Sequence, residues 1–168
     1  MGSRIVKGAI FSTVVPTPIK NPVLIAKSSS ALSVLGINGE CSELELAEYL
    51  GGNQQIPGSR TAAQVYCGFQ FGSFAGQLGD GAAIYLGEVI NPTSGIRWEL
   101  QLKGAGKTPF SRTADGRKVL RSSVREFLCS EAMSFLNVPT TRAATCVTSD
   151  TTVERDPVNQ FSLYIKYF

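Results

Sequence analysis

The sequence predicts an α+β fold in which a twisted antiparallel sheet carries one long packed helix. Two observations support this prediction. Residues 83–90 and 96–104 have the composition and alternation of a β-hairpin. Apolar residues then recur at helical spacing as far as Asn137, and Pro139 ends the pattern. The proline-rich residues 11–21 are expected to form an extended arm that wraps this unit.

Composition limits the classes of protein that the chain can be. A chain of 168 residues with 43% apolar and 17% charged residues has the size and composition of one globular domain. No apolar run approaches the ~18 residues that a membrane span needs, so no membrane partner is expected. The chain contains no histidine, the commonest general base, and its four cysteines form no C-x-x-C pair.

The amino-terminal 39 residues contain four basic residues and no acid. This composition has some features of a mitochondrial transit peptide. However, Pro16, Pro18 and Pro22 would break the amphipathic helix that such a peptide needs. The composition alone therefore leaves the compartment open.

One strand and two short helices are predicted before residue 51. Residues 23–26 read VLIA and are strand-like. Residues 28–35 fit a helix that begins at a serine cap. Residues 42–50 fit a second helix, because Ser42 and Glu45 have the spacing of a capping box.

A glycine-rich segment precedes the predicted hairpin. Residues 66–81 contain five glycines and three phenylalanines and are predicted to form a loop. Such a loop loses much conformational entropy on folding, so a function is expected for it. In the second strand of the hairpin, the polar face carries Arg97, Glu99, Gln101 and Lys103.

The long helix is predicted to begin at Arg117 or Ser123 and to end at Asn137. Its apolar stripe is expected to face the core. This stripe consists of Leu120, Val124, Phe127, Leu128, Ala132, Phe135 and Leu136. Residues 140–149 predict another strand, and the aromatic residues 161–168 are interpreted as a tail.

The order of these elements is that of the small lobe of protein kinases. That lobe has a glycine-rich loop, a hairpin, a lysine near the end of the second strand and a helix bearing a glutamate. Gly79 and Gly81 would let backbone N–H groups approach phosphate oxygens. Lys103 could reach an α- or β-phosphate, and Glu126 could pair with it.

Each of these residues also has a purely structural interpretation. The glycines fit a tight turn, and a lysine on the polar face of a strand is commonly solvated. Ser123 and Glu126 have capping-box spacing, so the carboxylate could accept the Ser123 backbone N–H. Asp115 and Gly116 could hydrogen-bond a nucleotide or form a local cap.

The segment between Lys103 and Arg125 is strongly basic. It contains seven basic residues and one acid, Asp115. Binding of nucleotide phosphates would explain this charge, and so would RNA binding with Phe110 as a stacking platform. A solvated basic face is the third interpretation.

Long blocks of the sequence closely resemble the selenoprotein O family, also known as the YdiU-like proteins. These blocks are YCGFQFGSFAGQLGDGAAIYLGEV, WELQLKGAGKTPFSR, ADGRKVLRSSVREFLCSEAM and VPTTRA. The upstream FSTVVPTPIKNPVLIA resembles the amino-terminal arm of the same family. The resemblance implies a protein kinase-like fold that binds ATP in a reversed orientation. It also implies transfer of AMP to Ser, Thr or Tyr of target proteins.

The resemblance further implies which residues contact the nucleotide. They are Gly79, Gly81, Ala82, Lys103, Asp115 and Gly116, with Glu126 as the partner that positions the lysine. Ala82 stands where bacterial members often have an arginine, so only a backbone contact is expected there. Phe69 stands where the family has the histidine of YCGHQFG, which leaves the role of that position open.

By the same resemblance the chain divides into a variable lead at 1–10, a family-like region at 11–153 and an unmatched tail at 154–168. The family-like region corresponds to a small lobe that is incomplete without a large lobe. The general base, the Mg²⁺ ligands and the selenocysteine of animal members are expected to lie beyond this chain. No catalytic or metal-binding residue is therefore expected here, and the chain alone is expected to be inactive.

The resemblance implies ATP and protein substrates as partners and a mitochondrial location. Two other functions fit the residues. One is a non-catalytic nucleotide-binding or regulatory module at the same site. The other is a basic RNA-binding domain, whose affinity would depend steeply on salt.

Overall fold

The computed structural model describes residues 10–39, 41–153 and 163–167. They form eight strands and three helices in one α+β arrangement. The elements are β1 (Phe11–Thr13), β2 (Val23–Lys27), α1 (Ser29–Val34), α2 (Glu43–Leu50), β3 (Ala62–Gln70), β4 (Ser73–Gly79), β5 (Ala83–Ile90), β6 (Arg97–Lys103), α3 (Leu120–Phe135), β7 (Arg142–Thr148) and β8 (Leu163–Tyr167).

The strands form one antiparallel sheet in the order β1-β3-β5-β6-β8-β7-β2, and β4 pairs with β3. The predicted hairpin is confirmed as β5 and β6, in which Ala83 pairs with Lys103. The predicted strands near 23–26 and 140–149 are confirmed as β2 and β7. The antiparallel sheet with a packed helix was therefore predicted correctly.

The two short helices begin where their caps predict. The Ser28 hydroxyl accepts the Ala31 N–H at the start of α1. Ser42 and Glu45 form the predicted capping box at the start of α2. Each cap satisfies backbone N–H groups that have no partner within the helix, which fixes the first turn.

Both faces of the sheet are covered, since neighbouring residues of β7 belong to two different clusters. Val147 packs with Leu46 of α2 and Leu102 of β6 in the larger core. Cys146 packs with Phe127 of α3 in a smaller cluster. In the part of the chain that the structure describes, no helix is long and apolar enough to cross a membrane.

The glycine-rich segment is not the loop that the sequence predicts. Most of it forms the hairpin of β3 and β4, with Phe71 and Gly72 at the turn. Both turn residues have positive φ, 51° and 81°, as a two-residue hairpin turn requires. The usual signal for such a turn is Asn-Gly or Asp-Gly, whereas this turn has Phe71-Gly72. The loop interpretation failed for that reason.

Most of the predicted apolar stripe of α3 does not face the core, although Phe127 is buried and Leu120 packs beside it. The residues of this helix that are buried are Ser123, Phe127, Ser130 and Glu131. Leu128 and Phe135, which were predicted to be buried, are 62% and 74% exposed. The helix is thus rotated so that mostly polar side chains meet the sheet.

An ion pair explains this rotation. The Glu131 carboxylate accepts hydrogen bonds from the guanidinium of Arg142 at 2.7 Å and from the Ala143 N–H at 3.0 Å. The Ser28 hydroxyl also donates to it. The buried charge is therefore fully partnered, and α3 is joined to the start of β7.

The predicted tail contributes to the sheet. Its residues 163–167 form β8, which lies between β6 and β7 and pairs with both. These residues therefore belong to the sheet, which their interpretation as a tail did not predict. Their β-rich composition suits a strand, but only the open hydrogen-bonding edges of β6 and β7 decide where they pair.

Candidate functional site

The end of β6 brings together the lysine and the glutamate that the sequence selects. The Lys103 ammonium lies 3.7 Å from Oε2 of Glu126, and the two side chains are 28% and 25% exposed. The prediction that they form an ion pair is confirmed. The competing capping box is wrong, because α3 begins at Leu120 and Ser123 lies within it, where its hydroxyl donates to the Val119 carbonyl.

A second lysine shares the same carboxylate. The Lys118 ammonium lies 3.6 Å from Oε1 of Glu126. The sequence placed Lys118 within a basic segment but gave it no role. Its position eight residues before Glu126, outside the helix, carries no periodic signal that would join the two side chains.

The glycine turn lies beside Lys103. The Gly104 N–H donates to the Ala82 carbonyl at 2.7 Å, which continues the pairing of β5 and β6 past Lys103. The Asp80 N–H donates to the Gln64 carbonyl at 2.9 Å, and the Gly81 N–H donates to the Gly79 carbonyl at 2.8 Å. Two amides that were expected to face phosphate are thus bonded within the protein.

Close packing explains why positions 79 and 81 of this turn are glycines. A Cβ atom at Gly79 would lie 2.6 Å from the ring of Phe110, and one at Gly81 would lie 2.9 Å from the Phe110 carbonyl oxygen. The hydroxyls of Thr108 and Ser111 donate to the carbonyls of Asp80 and Gly81, each at 2.6 Å. Phe110 is therefore a packing residue against the turn rather than an open stacking platform.

Asp115 and Gly116 lie on the adjoining loop. The Asp115 carboxylate accepts the Arg117 N–H at 2.9 Å, which closes a local turn. It does not cap α3, because the N-cap residue of that helix is Val119. Gly116 has a φ of 70°, and a Cβ there would lie 2.0 Å from the Gly106 carbonyl oxygen. Only glycine fits this contact, which holds the loop against the turn that follows Lys103.

Arg117 fastens the site to the amino-terminal arm. Its guanidinium donates to the carbonyl of Thr17 at 3.0 Å and to that of Gly104 at 3.4 Å. Burial lowers its pKa, while Asp115 acts in the opposite direction. The sequence did not predict this role, because the two carbonyls lie far apart along the chain.

The glycine turn also interacts electrostatically with Lys103. Burial raises the pKa of Asp80, although the Gln64 N–H and the charge of Lys103 oppose the shift. The field of Lys103 thus reaches the glycine turn. Most of the predicted nucleotide contacts are held in one connected group of loops around the end of β6.

Comparison with known proteins shows which family the chain belongs to. A family model described as protein adenylyltransferase SelO matches residues 5–165. The chain belongs to the SelO family. The match extends beyond Val153 into the stretch that was predicted to be an unmatched tail.

Curated relatives agree with this assignment. Human mitochondrial protein adenylyltransferase SelO is 63% identical over 156 residues, which cover 91% of this chain and 23% of the relative. SelO-1 of Danio rerio, also named mitochondrial, is 57% identical over 169 residues, covering 92% of this chain and 24% of the relative. Protein nucleotidyltransferase YdiU of Azoarcus sp. is 56% identical over 155 residues, covering 92% and 30%. The chain thus spans less than a third of the length of each of these relatives.

The resemblance to the SelO family implies Mg²⁺ as a cofactor. Among residues 10–39, 41–153 and 163–167, no three carboxylate or cysteine side chains gather where they could hold a metal ion. The carboxylates of the candidate site already have partners: Asp80 accepts the Gln64 N–H, Asp115 accepts the Arg117 N–H, and Glu126 pairs with two lysines. The described residues do not fit a magnesium centre.

Phe69, which replaces the histidine of the SelO motif, lies on the hairpin of β3 and β4. Its ring is 75% exposed and makes an edge-to-face contact with Phe74, with centroids 5.5 Å apart. An aromatic pair of this kind can stabilise the hairpin. The contact gives Phe69 a structural role without a charge or a proton donor.

Proposed function

We propose that this chain is the ATP-binding part of a protein adenylyltransferase, which transfers AMP from ATP to Ser, Thr or Tyr of target proteins. The ion pair of Lys103 and Glu126, at 3.7 Å, carries the proposal. In protein kinases a strand lysine held by a helix glutamate is the arrangement that positions the phosphates of ATP. Membership of the SelO family supports the same chemistry.

Each member of the site has a proposed role. Lys103 binds the α- or β-phosphate through its ammonium, and Glu126 fixes the direction of that ammonium. Gly79, Gly81 and Ala82 contact the nucleotide through their backbone. The Gly81 N–H would give up its hydrogen bond to the Gly79 carbonyl and donate to a phosphate oxygen instead. The new hydrogen bond is charge-assisted.

Asp115 and Gly116 are proposed to line the opposite side of the nucleotide. The support is their place on the loop that packs against the turn after Lys103, where the Gly106 N–H donates to the Gly116 carbonyl at 3.3 Å. One oxygen of Asp115 accepts the Arg117 N–H, which fixes the direction of the carboxylate.

The proposed architecture is a kinase-like small lobe at 11–153 that a large lobe completes in full-length relatives. The general base, Mg²⁺ ligands and protein substrates belong to that larger assembly. We therefore propose that this chain alone transfers no AMP. The mitochondrial names of the human and zebrafish relatives support a mitochondrial location. A non-catalytic nucleotide-binding module would use the same residues and differ only in lacking the transfer step.

Binding of ATP by this chain alone is proposed to be weak. The cavity beside Gly79 has a volume of ≈ 240 Å³ and its lining does not include Lys103, so it encloses only part of the proposed contacts. Ligand pockets commonly enclose about 300–1,000 Å³. Phosphates held from one side stay wet and screened, so we expect a Kd in the millimolar range, or about 4 kcal/mol of binding free energy.

Titration calorimetry with ATP tests the proposal on the wild type, Lys103→Ala and a control. The control is Lys27→Ala, which removes another lysine that pairs with a helix glutamate, Glu43, at 3.3 Å. Lys27 lies on β2, three strands away from β6. We expect only Lys103→Ala to abolish binding. Binding that survives this substitution, or is absent from the wild type, contradicts the proposal.

A further inference from the structure

Two lysines from different elements hold opposite oxygens of one carboxylate. Oε2 of Glu126 faces Lys103 at 3.7 Å, and Oε1 faces Lys118 at 3.6 Å. We infer that Lys118 is a positioning residue of the phosphate site, acting on Lys103 through Glu126. This inference rests on the proposed function and adds a residue to its site.

The backbone of Lys118 is fixed next to that of Lys103. Gly104, the residue after Lys103, has a φ of 94°, and a Cβ there would lie 3.0 Å from both the N and the Cβ of Lys118. The neighbouring Arg117 donates to the Gly104 carbonyl at 3.4 Å. The two lysines therefore approach Glu126 from adjoining backbone segments, and their separation is set by the fold.

The charge balance explains what Lys118 contributes. Lys103 and Glu126 alone would form a neutral pair with little attraction for an anion. With Lys118 these three side chains carry two positive charges and one negative charge, and the second positive charge also offsets the Asp80 carboxylate, on which the charge of Lys103 acts. The three side chains are 25% to 29% exposed, so their interactions are only partly screened by water. Because Lys118 occupies one oxygen, more of the charge of Lys103 is available to a polyphosphate.

The geometry also favours an action through Glu126 over a separate phosphate contact. While each lysine holds one oxygen, the Glu126 carboxylate cannot rotate toward either lysine. Loss of Lys118 would let Glu126 turn both oxygens toward Lys103, and the ammonium would then follow the carboxylate. A lysine that acted by its own phosphate contact would not require Glu126.

A double-mutant cycle separates these two roles. ATP affinity is measured by NMR titration for the wild type, Lys118→Gln, Glu126→Gln and the double variant. We expect Lys118→Gln to weaken binding about three- to fivefold, the range of a partly exposed ion pair. In the Glu126→Gln background the same change is expected to alter affinity by less than about twofold. An equal loss in both backgrounds, or no loss in the wild type, overturns the inference.

Two controls test whether position or charge alone matters. Arg121→Gln removes one positive charge from an exposed residue of the same helix, on a face well away from Glu126, and should leave affinity unchanged. Lys118→Arg keeps the ion pair and should retain most of the wild-type affinity. A loss in Arg121→Gln equal to that in Lys118→Gln means that net charge explains the effect, which overturns the inference.

A second readout requires no nucleotide. The ¹³C signal of the Lys103 side chain, assigned by its absence from Lys103→Arg, reports the surroundings of the ammonium. We expect Lys118→Gln to shift this signal and Arg121→Gln to leave it in place. If the wild type binds no ATP, the proposed function fails, and this signal still decides the role of Lys118. A Lys103 signal that Lys118→Gln does not move overturns the inference.

Discussion

The guanidinium of Arg142 lies 2.7 Å from the Glu131 carboxylate, and the two side chains are only 12% and 10% exposed. The same nitrogen, Nη2, also donates to the Ser30 hydroxyl at 2.8 Å. The pair fastens α3 to β7 and to the start of α1. Because α3 also carries Glu126, the position of the candidate site depends on this contact.

Removal of Arg142 is expected to destabilise the fold strongly. Arg142→Ala leaves Glu131 as a buried charge without its main partner, which costs about 3 kcal/mol or more. Urea unfolding followed by circular dichroism measures this loss. The control is Arg97→Ala, whose partner Glu88 lies 3.5 Å away on an exposed surface, and its effect should stay below about 1 kcal/mol. Equal effects of the two substitutions would show that the Arg142 pair does not hold α3.

Glu131 should also make stability depend on pH. Burial acts to raise the pKa of this carboxyl, but hydrogen bonds from Arg142, Ser28 and the Ala143 N–H outweigh it, so the pKa lies below its ordinary value of 4.5. The unfolded chain therefore takes up the proton first as the pH falls. The contribution of Glu131 is complete above pH 4.5 and is lost as the pH falls through the lowered pKa.

Unfolding free energies of the wild type and Glu131→Gln between pH 7 and pH 3 test this dependence. The wild type should be more stable at pH 7, and the difference should shrink below pH 4.5. The comparison isolates Glu131 from Asp80, whose raised pKa has the opposite effect on stability. A difference that stays constant across the range contradicts the assigned shift.

Two phenylalanines of α3 should respond very differently to truncation. Phe127 is 8% exposed and packs against β7, whereas Phe135 is 74% exposed. Phe127→Ala should cost about 3–5 kcal/mol of unfolding free energy. Phe135→Ala should change it by less than about 0.5 kcal/mol. Equal losses in the two variants would fit the apolar stripe that the sequence predicts, in which both residues are buried, and would contradict the observed rotation of the helix.

Gly79 should be intolerant of a side chain, while Gly76 of the same strand should accept one. A Cβ at Gly79 would meet the Phe110 ring at 2.6 Å, whereas nothing lies within 4 Å of a Cβ at Gly76. Gly79→Ala should destabilise the fold by about 1–3 kcal/mol through overpacking, and Gly76→Ala should be nearly neutral. Thermal unfolding of both variants checks this, and a neutral Gly79→Ala would mean that Phe110 moves aside easily.

The features that the sequence predicts well are local ones. The Ser42–Glu45 capping box requires only four consecutive residues, and the hairpin of β5 and β6 follows from alternation within each strand. The pair of Lys103 and Glu126 could be predicted because strand alternation and the kinase-like order of elements, supported by the family resemblance, suggested where each side chain would lie.

The features that the sequence does not predict depend on distant partners. Glu131 is buried because Arg142, 11 positions away, and Ser28, 103 positions away, satisfy its charge. A prediction based on an apolar stripe places such a charged residue on the solvent-exposed face of the helix. Residues 163–167 show the same limit, because their strand pairs with β6 more than sixty residues earlier in the sequence. The role of Lys118 likewise appears only when two loops meet.

The location of ATP on the folded chain tests the central proposal most directly. ATP is titrated into ¹⁵N-labelled protein, and the amide shifts of the wild type are compared with those of Lys103→Ala. We expect the largest shifts at Gly79, Gly81, Gly104 and Gly116, around the end of β6, and little change at Gly72 in the distant hairpin turn. These shifts should vanish in Lys103→Ala. Shifts that centre elsewhere, or persist without Lys103, would contradict a nucleotide site at this lysine.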